Sequence, residues 1–442
     1  MVRFIFIAIQ IIFILIVVLF LTSNEFIISF EINDFIYSIS SSYFFVFLLL
    51  VFILIFLTQS LYFKSKFRFS KFKISQKIKL KEKGYNSFVS GMLALANKDF
   101  KKAISESNKI SKLLDNNSSL SLLLKSEIYK IDKRHSELNE IYEEMIGHES
   151  MKNLGFRGLM EQYLRSQDYH HAFIYAEKLF NSNPNVEKIY DTLVNILIKT
   201  NNWQQLLITT EKSLSKKIIE KNVSNINKSI AYYEIAKIKQ FSDVEESISY
   251  IKKSLKLRQF FPPYVKLYLE LLIQNNDFNF AKKYFKKIWS EYPHPELKNI
   301  TSFLAKELKI KKTDLVKYLI SSNQKNYQSQ IMLIENLIFE NNWDEARKYI
   351  QILLDVKPKK EVCLLMAKIE EGESGDIQKV SSWTLRAKNG LENKMWVCFI
   401  SKKAQKEWSS VSEGGHFNSL EWKQPVMIEQ LTNDNKLLNY EN

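Results

Sequence analysis

Glycine and proline are scarce in this chain, 10 and 7 in 442 residues, where average usage would supply roughly 30 and 20. Folds built from many short strands need a turn every ten residues or so. This composition disfavours them and points to long helices with short connections. Cysteine is nearly absent. Cys363 and Cys398 stand 35 residues apart, which provides neither a disulfide framework nor a metal-ligand spacing and fits a reducing compartment. No Gly-x-Gly-x-x-Gly follows a strand pattern, and no P-loop appears. Basic residues are plentiful, at a net charge of +15, but they are concentrated. Residues 64–83 carry nine Lys or Arg, beginning Lys64, Lys66, Arg68, Lys71 and Lys73, against the single Glu82. A basic run directly after an apolar one belongs to a membrane surface, so no nucleic acid is expected as partner.

The apolar residues are crowded into the first 63 positions. Phe4–Leu21 holds one polar residue, Gln10, and no charge. Eighteen helical residues span about 27 Å, close to the hydrocarbon thickness. A second run centred on Tyr43–Leu57 extends to about 41–62. The first run is too long for a signal-peptide core, and Thr22-Ser23-Asn24-Glu25 is no small-x-small cleavage site. Between the runs lie Glu25, Glu31 and Asp34 and no Lys or Arg. The positive-inside rule then puts both termini in the cytoplasm and the acidic loop outside. Phe26–Ile32 partly alternates, Asn33-Asp34 could turn the chain, and Phe35–Tyr37 returns it; a small hairpin and a plain connector both fit.

Beyond residue 83 a pattern recurs: a polar pair, an aromatic, and a small or apolar residue three positions on. It reads Phe100/Ala103, Tyr169/Ala172, Trp203/Leu206, Phe278/Ala281 and Trp343/Ala346. The aromatics fall 69, 34, 75 and 65 residues apart, near one or two units of 34. Pro184, Pro293 and Pro358 each lie 15 residues after an aromatic, and Asp115 holds that place after Phe100. In this reading the aromatic closes the turn of a helix pair, the small residue lets the helices approach, and proline ends the second helix. Such pairs cover one another's apolar faces by stacking. The units resemble tetratricopeptide repeats (TPR), most clearly at 266–295 and 332–360, then 157–186 and 87–115; residues 210–260 lack a clean match. The expected fold is all-α, an N-terminal two-helix transmembrane hairpin followed by a TPR-like α-solenoid. Its parts are a hairpin (1–63), a basic juxtamembrane segment (64–83), a repeat domain (84–390) and an irregular Trp-containing tail (391–442). In that tail the tryptophans are expected to cap the last helices, and residues 430–442 are expected to be mobile.

Candidate chemistry is thin. His170 and His171 occupy positions filled by Lys101-Lys102, Gln204-Gln205 and Asp344-Glu345 in other units, so they read as surface residues. His135 and His148 stand alone, and His294, between Pro293 and Pro295, reads as an accessible turn residue. His416 completes the set. Cys398 after Trp396-Val397 resembles one arm of a zinc-ribbon knuckle, but structural zinc wants four ligands. Glu370, Glu371, Glu373 and Asp376 read as a solvated acidic loop. No catalytic residue, cofactor or metal is assigned, and the architecture argues for binding over catalysis.

The whole arrangement resembles the HemY family of Gram-negative bacteria. The likeness rests on the hairpin with its acidic loop, the basic exit segment, the unit from Gly91 to Phe100, and a C-terminal order. That order runs Leu365–Glu371, Gly375-Asp376, Trp383, Arg386-Ala387, Trp396, Trp408 and Glu421-Trp422-Lys423 before Pro425. The resemblance implies a two-pass protein of the bacterial inner (cytoplasmic) membrane that organises or regulates late haem (porphyrin) biosynthesis by binding late haem-pathway enzymes. Two other functions fit the residues: an envelope-assembly or quality-control adaptor, and a haem carrier or sensor.

Overall fold

The computed structural model describes residues 9–10, 12–14, 16–17, 19–20, 27–32, 35–114, 119–354 and 358–425. It divides into two compact units, residues 1–145 and 146–442.

In the first unit, the described residues between 9 and 20 are helical. Strands β1 (Ile27–Ile32) and β2 (Phe35–Ser40) then pair antiparallel, with Ile27 opposite Ser40 and Ile32 opposite Phe35. Of the connector and the hairpin, the chain forms the hairpin; its turn, Asn33-Asp34, lies outside the described residues, as do Phe4–Ala8, Leu21, Glu25 and Asp115. The Phe13 ring stacks on Phe52, centroids 5.6 Å apart. One helix, Ser41–Ala96, follows without a break. The boundaries expected near 63 and 83 therefore fall inside one rod of roughly 84 Å. Every side chain from 61 to 83 is exposed. Beyond this bare stretch the helix meets a neighbour at Gly84, where a Cβ would collide with Leu114. Its last turns share a core with Ala103 and Ile110 of the helix Phe100–Leu113 and with Leu124 and Ile128 of Ser119–Ile131.

The second unit contains seven consecutive helix pairs among the described residues. They are Lys152–Arg165 with Tyr169–Ser182, Ile189–Lys199 with Trp203–Ser215, Lys221–Lys239 with Val244–Leu257, Pro262–Gln274 with Phe278–Glu291, Ile300–Glu307 with Lys312–Ile320, Tyr327–Phe339 with Trp343–Gln351, and Lys360–Glu373 with Ile377–Lys388. We call the first member of each pair helix A and the second helix B. The stretch 210–260, which lacks the repeat pattern, is nonetheless a full pair. Its helix B begins with Val244 where the signature has an aromatic, and the nearby Phe241 is 86% exposed, so the sequence signal is lost while the packing persists.

The repeated polar pair has a defined role. Its first residue takes a left-handed conformation: Lys98, Gln167, Asn201, Asn276 and Asn341 have φ between 52° and 61°. Its second residue donates its backbone N–H five residues back, as in Asp99 to Ala94 O (2.8 Å), Asp168 to Tyr163 O (2.9 Å) and Asn342 to Leu337 O (2.9 Å). This is a Schellman closure of helix A. The same Asp or Asn then caps helix B, its Oδ1 accepting from Lys102, His171, Gln205 or Glu345. The Asp277 side chain instead accepts from Asn275. The aromatics Phe100, Tyr169, Trp203, Phe278 and Trp343 are thus the first residues of their B helices. The residues three on, Ala103, Ala172, Leu206, Ala281 and Ala346, are all fully buried. Trp343 reaches the next pair, where a Cβ on Gly372 would lie 2.3 Å from its ring.

Proline is less decisive than the sequence suggests. Asn183 and Tyr292, ahead of Pro184 and Pro293, leave the helix in an extended conformation, but so does Arg258, which no proline follows. Pro358 ends no helix, since Trp343–Gln351 stops seven residues before it. The tail also departs from expectation. Strands β3 (Met395–Cys398), β4 (Ala404–Gln405) and β5 (Leu420–Lys423) form an antiparallel sheet in the order β4-β3-β5. The architecture is helical as expected, with this sheet and the N-terminal hairpin added to it. Residues 426–442 lie outside the described residues.

The close approach at the fourth position of helix B sets a steric limit. Ala281→Leu should overpack a fully buried site and cost about 1–3 kcal/mol. Leu206→Ala, at the same position where leucine is accommodated, should leave a cavity and cost roughly 2–5 kcal/mol. Urea unfolding followed by circular dichroism measures both.

Candidate functional site

TPR-like stacks offer ligands the face formed by their A helices. In the second unit much of that face is covered by the chain's own C-terminal lobe, residues 395–423. Strand pairing sets Trp396 opposite Trp422, rings 5.3 Å apart. Trp408 packs edge-on against Tyr233, Phe261 and Tyr264 at 5.3, 5.1 and 5.8 Å. The Arg258 guanidinium covers Phe261 at 3.6 Å. Glu407 reaches Lys266 at 3.6 Å, and the Trp396 indole N–H donates to Glu296. These partners belong to the third and fourth A helices and the turn after the fourth pair. The tryptophans therefore do not cap the last helices; they fold back 100 residues and more along the chain. Aromatic area of this size dominates an interface energetically.

Burial under the lobe perturbs ionisable groups. His294 is 4% exposed, with Trp422 at 4.5 Å and Trp396 at 6.1 Å. Its Nδ1 accepts the Glu296 N–H at 3.4 Å. The accessible turn residue expected from the sequence is thus a core residue, because the lobe closes over its turn. Burial holds its pKa down at about 4. Burial also pushes the Glu296 carboxyl up, against the bond from Trp396, and Glu296 Oε2 has no hydrogen-bond partner. Tyr264 rises to about 12 through burial.

The repeat-signature residues belong to the scaffold and not to this site. Ala103, Ala172, Leu206, Ala281 and Ala346 have no exposed surface at all, so none of them can touch a ligand. Ala172 packs in one core with Phe156, Met160 and Leu179, and Ala346 in another with Leu337 and Ile350. Trp203 is buried as well, while Phe100, Tyr169, Phe278 and Trp343 are half-buried at the turns.

The other sequence candidates are dispersed. His170 and His171 are exposed, and His171 Nδ1 lies 2.7 Å from Asp168, the cap of its own helix. The acidic loop is partly an ion-pair site. Glu370 is buried on Lys360–Glu373 and meets Arg347 at 2.8 Å, Glu373 meets the same guanidinium, and Asp376 caps Ile377–Lys388. Arg347 holds Glu370 below the usual carboxylate range. Cys398 is buried and accepts the Ser401 N–H at 3.3 Å, with Ser419 Oγ at 3.2 Å. Among the described residues no group of three His, Cys, Asp or Glu could hold a metal ion. Lys64, Lys66, Arg68, Lys71 and Lys73 are all exposed on the bare stretch of the long helix. Sequence reasoning missed Phe261, Tyr264 and Glu296. The one available signal was the count of tryptophans in the tail, too many for a solvated segment.

No family model matches the chain, and no curated protein matches it. Solved structures similar to it include Naa15/Naa10 bound to HypK-THB, at TM-score 0.37 and 13% identity over 71% of this chain and 60% of that one. The chain thus spans less than two thirds of that relative. Another is the yeast Sti1 TPR2AB-domain:pHSP90 complex, at TM-score 0.29 and 12% identity over 69% of this chain and 98% of that one. A tetratricopeptide repeat protein from Parabacteroides merdae gives 0.25 and 15% over 56% and 99%. At these scores the likeness carries no argument, and the repeat architecture stands on the helix pairs themselves.

His294 makes lobe docking sensitive to acid. Its folded pKa of about 4 lies below the ordinary 6.5, so the unfolded state binds the proton first. Its contribution is complete above 6.5 and is lost as pH falls from there to 4, by on the order of 3 kcal/mol. Glu296, pushed up, works in the opposite sense below neutrality. Urea midpoints between pH 7 and 4 should fall more steeply for the unaltered chain than for His294→Gln.

Proposed function

We propose that this chain is a membrane-anchored helical-repeat adaptor that acts by binding proteins and not by catalysis. The observation that carries the anchor is the helix Ser41–Ala96. An 18-residue window in its apolar part has a mean hydropathy of 2.5, and none of that window is buried. Val46, Phe47, Leu50 and Leu54 are each more than half exposed. A contiguous apolar surface of this size is untenable in water and ordinary in lipid. Among the described residues it is the one helix long and apolar enough to cross a membrane. The Phe13–Phe52 stack supports a second, returning span. We read the charge asymmetry as a two-pass topology with both termini and the repeats cytoplasmic, and the HemY-like resemblance as placing it in a bacterial inner membrane.

The basic stretch has a shape of its own in this reading. Lys64, Arg68 and Lys71 fall on one side of the helix, and Lys66, Lys73 and Lys77 on the opposite side, at 100° per residue. A helix lying flat on a bilayer segregates its faces. Cations on all sides suit a helix that rises upright through the headgroup layer. The 20 residues from 64 to 83 would then hold the first repeat roughly 30 Å from the hydrocarbon.

The partner we propose is a late haem-pathway enzyme. That step rests on the HemY-like order of tryptophans and acidic residues in the C-terminal quarter. Tethering confines the repeats to the plane of the membrane and raises their effective concentration toward membrane enzymes. Crosslinked pull-down from native membranes should recover late haem-pathway enzymes with the full chain. Recovery of envelope-assembly factors or proteases in their place would replace the haem assignment with the envelope-adaptor reading. Extraction of the chain by high salt without detergent would overturn the anchor.

A further inference from the structure

The lobe does not fill the A-helix face completely. Where its tip meets helices Ile189–Lys199 and Lys221–Lys239, a cavity of about 320 Å³ remains. Two rows of side chains line it, Asp191 with Asn195 and Val223 with Asn227. Each row is an i, i+4 pair, so each lies on one face of its helix. The lobe contributes Ile400, Gly415, His416 and Phe417. Val223 and Ile400 are 40% and 52% exposed, so apolar surface is open to a ligand.

The polar lining includes Asp191, Asn195, Asn227 and His416. The Asn227 Nδ2 donates to Tyr190 Oη at 2.8 Å, and Tyr190 lies 3.3 Å from Thr210 Oγ1. Asn227 keeps its second N–H and its carbonyl oxygen for a ligand. Asp191 is exposed and makes no ion pair among the described residues. No lysine or arginine lines the cavity. The site therefore presents one carboxylate, two amides and an imidazole beside an apolar patch, in a chain whose net charge is +15.

We infer that this cavity docks an extended segment of a partner protein, an aliphatic side chain entering between Val223 and Ile400 and an adjacent Lys or Arg pairing with Asp191. Backbone N–H groups of such a segment meet Asn195 and Asn227, one from each helix. An acidic segment would bring a carboxylate to Asp191 with no Lys or Arg to receive it, and specificity then follows from repulsion as well as attraction. The inference rests on the adaptor reading and names the chemistry of what is bound.

The test uses the full chain in nanodiscs and a fluorescein-labelled peptide, Gly-Arg-Leu-Arg-Leu-Gly amide, followed by anisotropy. Saturable binding is expected. Asp191→Arg and Val223→Glu should each weaken it by about tenfold or more, and Asp191→Asn, of unchanged shape, by several-fold. The peptide with glutamate for arginine should not bind. Binding unchanged by all three variants, equal binding of the glutamate peptide, or no binding of the arginine peptide would each overturn the site. Unaltered near-ultraviolet circular dichroism shows that the variants fold. Flotation with anionic vesicles reads the anchor separately, because neither Asp191 nor Val223 belongs to it. Lost flotation with peptide binding intact would thus count against the tether alone.

Discussion

A single two-residue turn underlies the repeats. A polar residue enters the left-handed region and closes one helix, and the Asp or Asn after it closes the backbone bond and caps the next. This junction fixes where helix B begins. The aromatic then becomes its first residue, and the residue three later faces helix A at contact distance. That is why Ala103, Ala172, Leu206, Ala281 and Ala346 are fully buried. Lysine, glutamine and asparagine supply the left-handed residue, although glycine adopts that conformation most readily. The capping bonds and the contacts beyond offset that strain. With so little glycine in the chain, the turns are also less free in the unfolded state.

The second constraint is the lobe. A stack of helix pairs leaves its A-helix face open. Here three tryptophans, two tyrosines and Phe261 close its centre, and they bury His294 and half-bury Glu296. Ligand access is thereby moved to the edge, where the lobe tip and two A helices share a cavity. An adaptor built this way recognises a short segment at a bounded site in place of a long one along a trough.

The sequence showed much of the repeat and little of the site. Aromatic, small residue and polar pair recur because each is required by one local geometry, and local geometry is written in adjacent residues. The pair at 221–257 escaped because its B helix begins with Val244, as those of the fifth and seventh pairs begin with Lys312 and Ile377, where the five signature units have an aromatic. The lobe escaped for a different reason. Its strands are two to four residues long, too short for an alternation to register, and its partners lie 100 to 175 residues away in sequence. His294 looked exposed because nothing nearby in the chain announces what covers it. The cavity joins residues from 190 to 417, and neither Asp191 nor Asn227 differs from an ordinary surface residue until the helices are stacked.

The central claim is that the C-terminal lobe is a resident of the A-helix face in the native protein. The contact between Lys266 and Glu407 measures it directly. In the membrane-reconstituted chain, a zero-length carbodiimide should couple the Lys266 amine to the Glu407 carboxylate as an intramolecular amide, detected by mass spectrometry. Failure to cross-link, or cross-links only between separate molecules, would contradict the account.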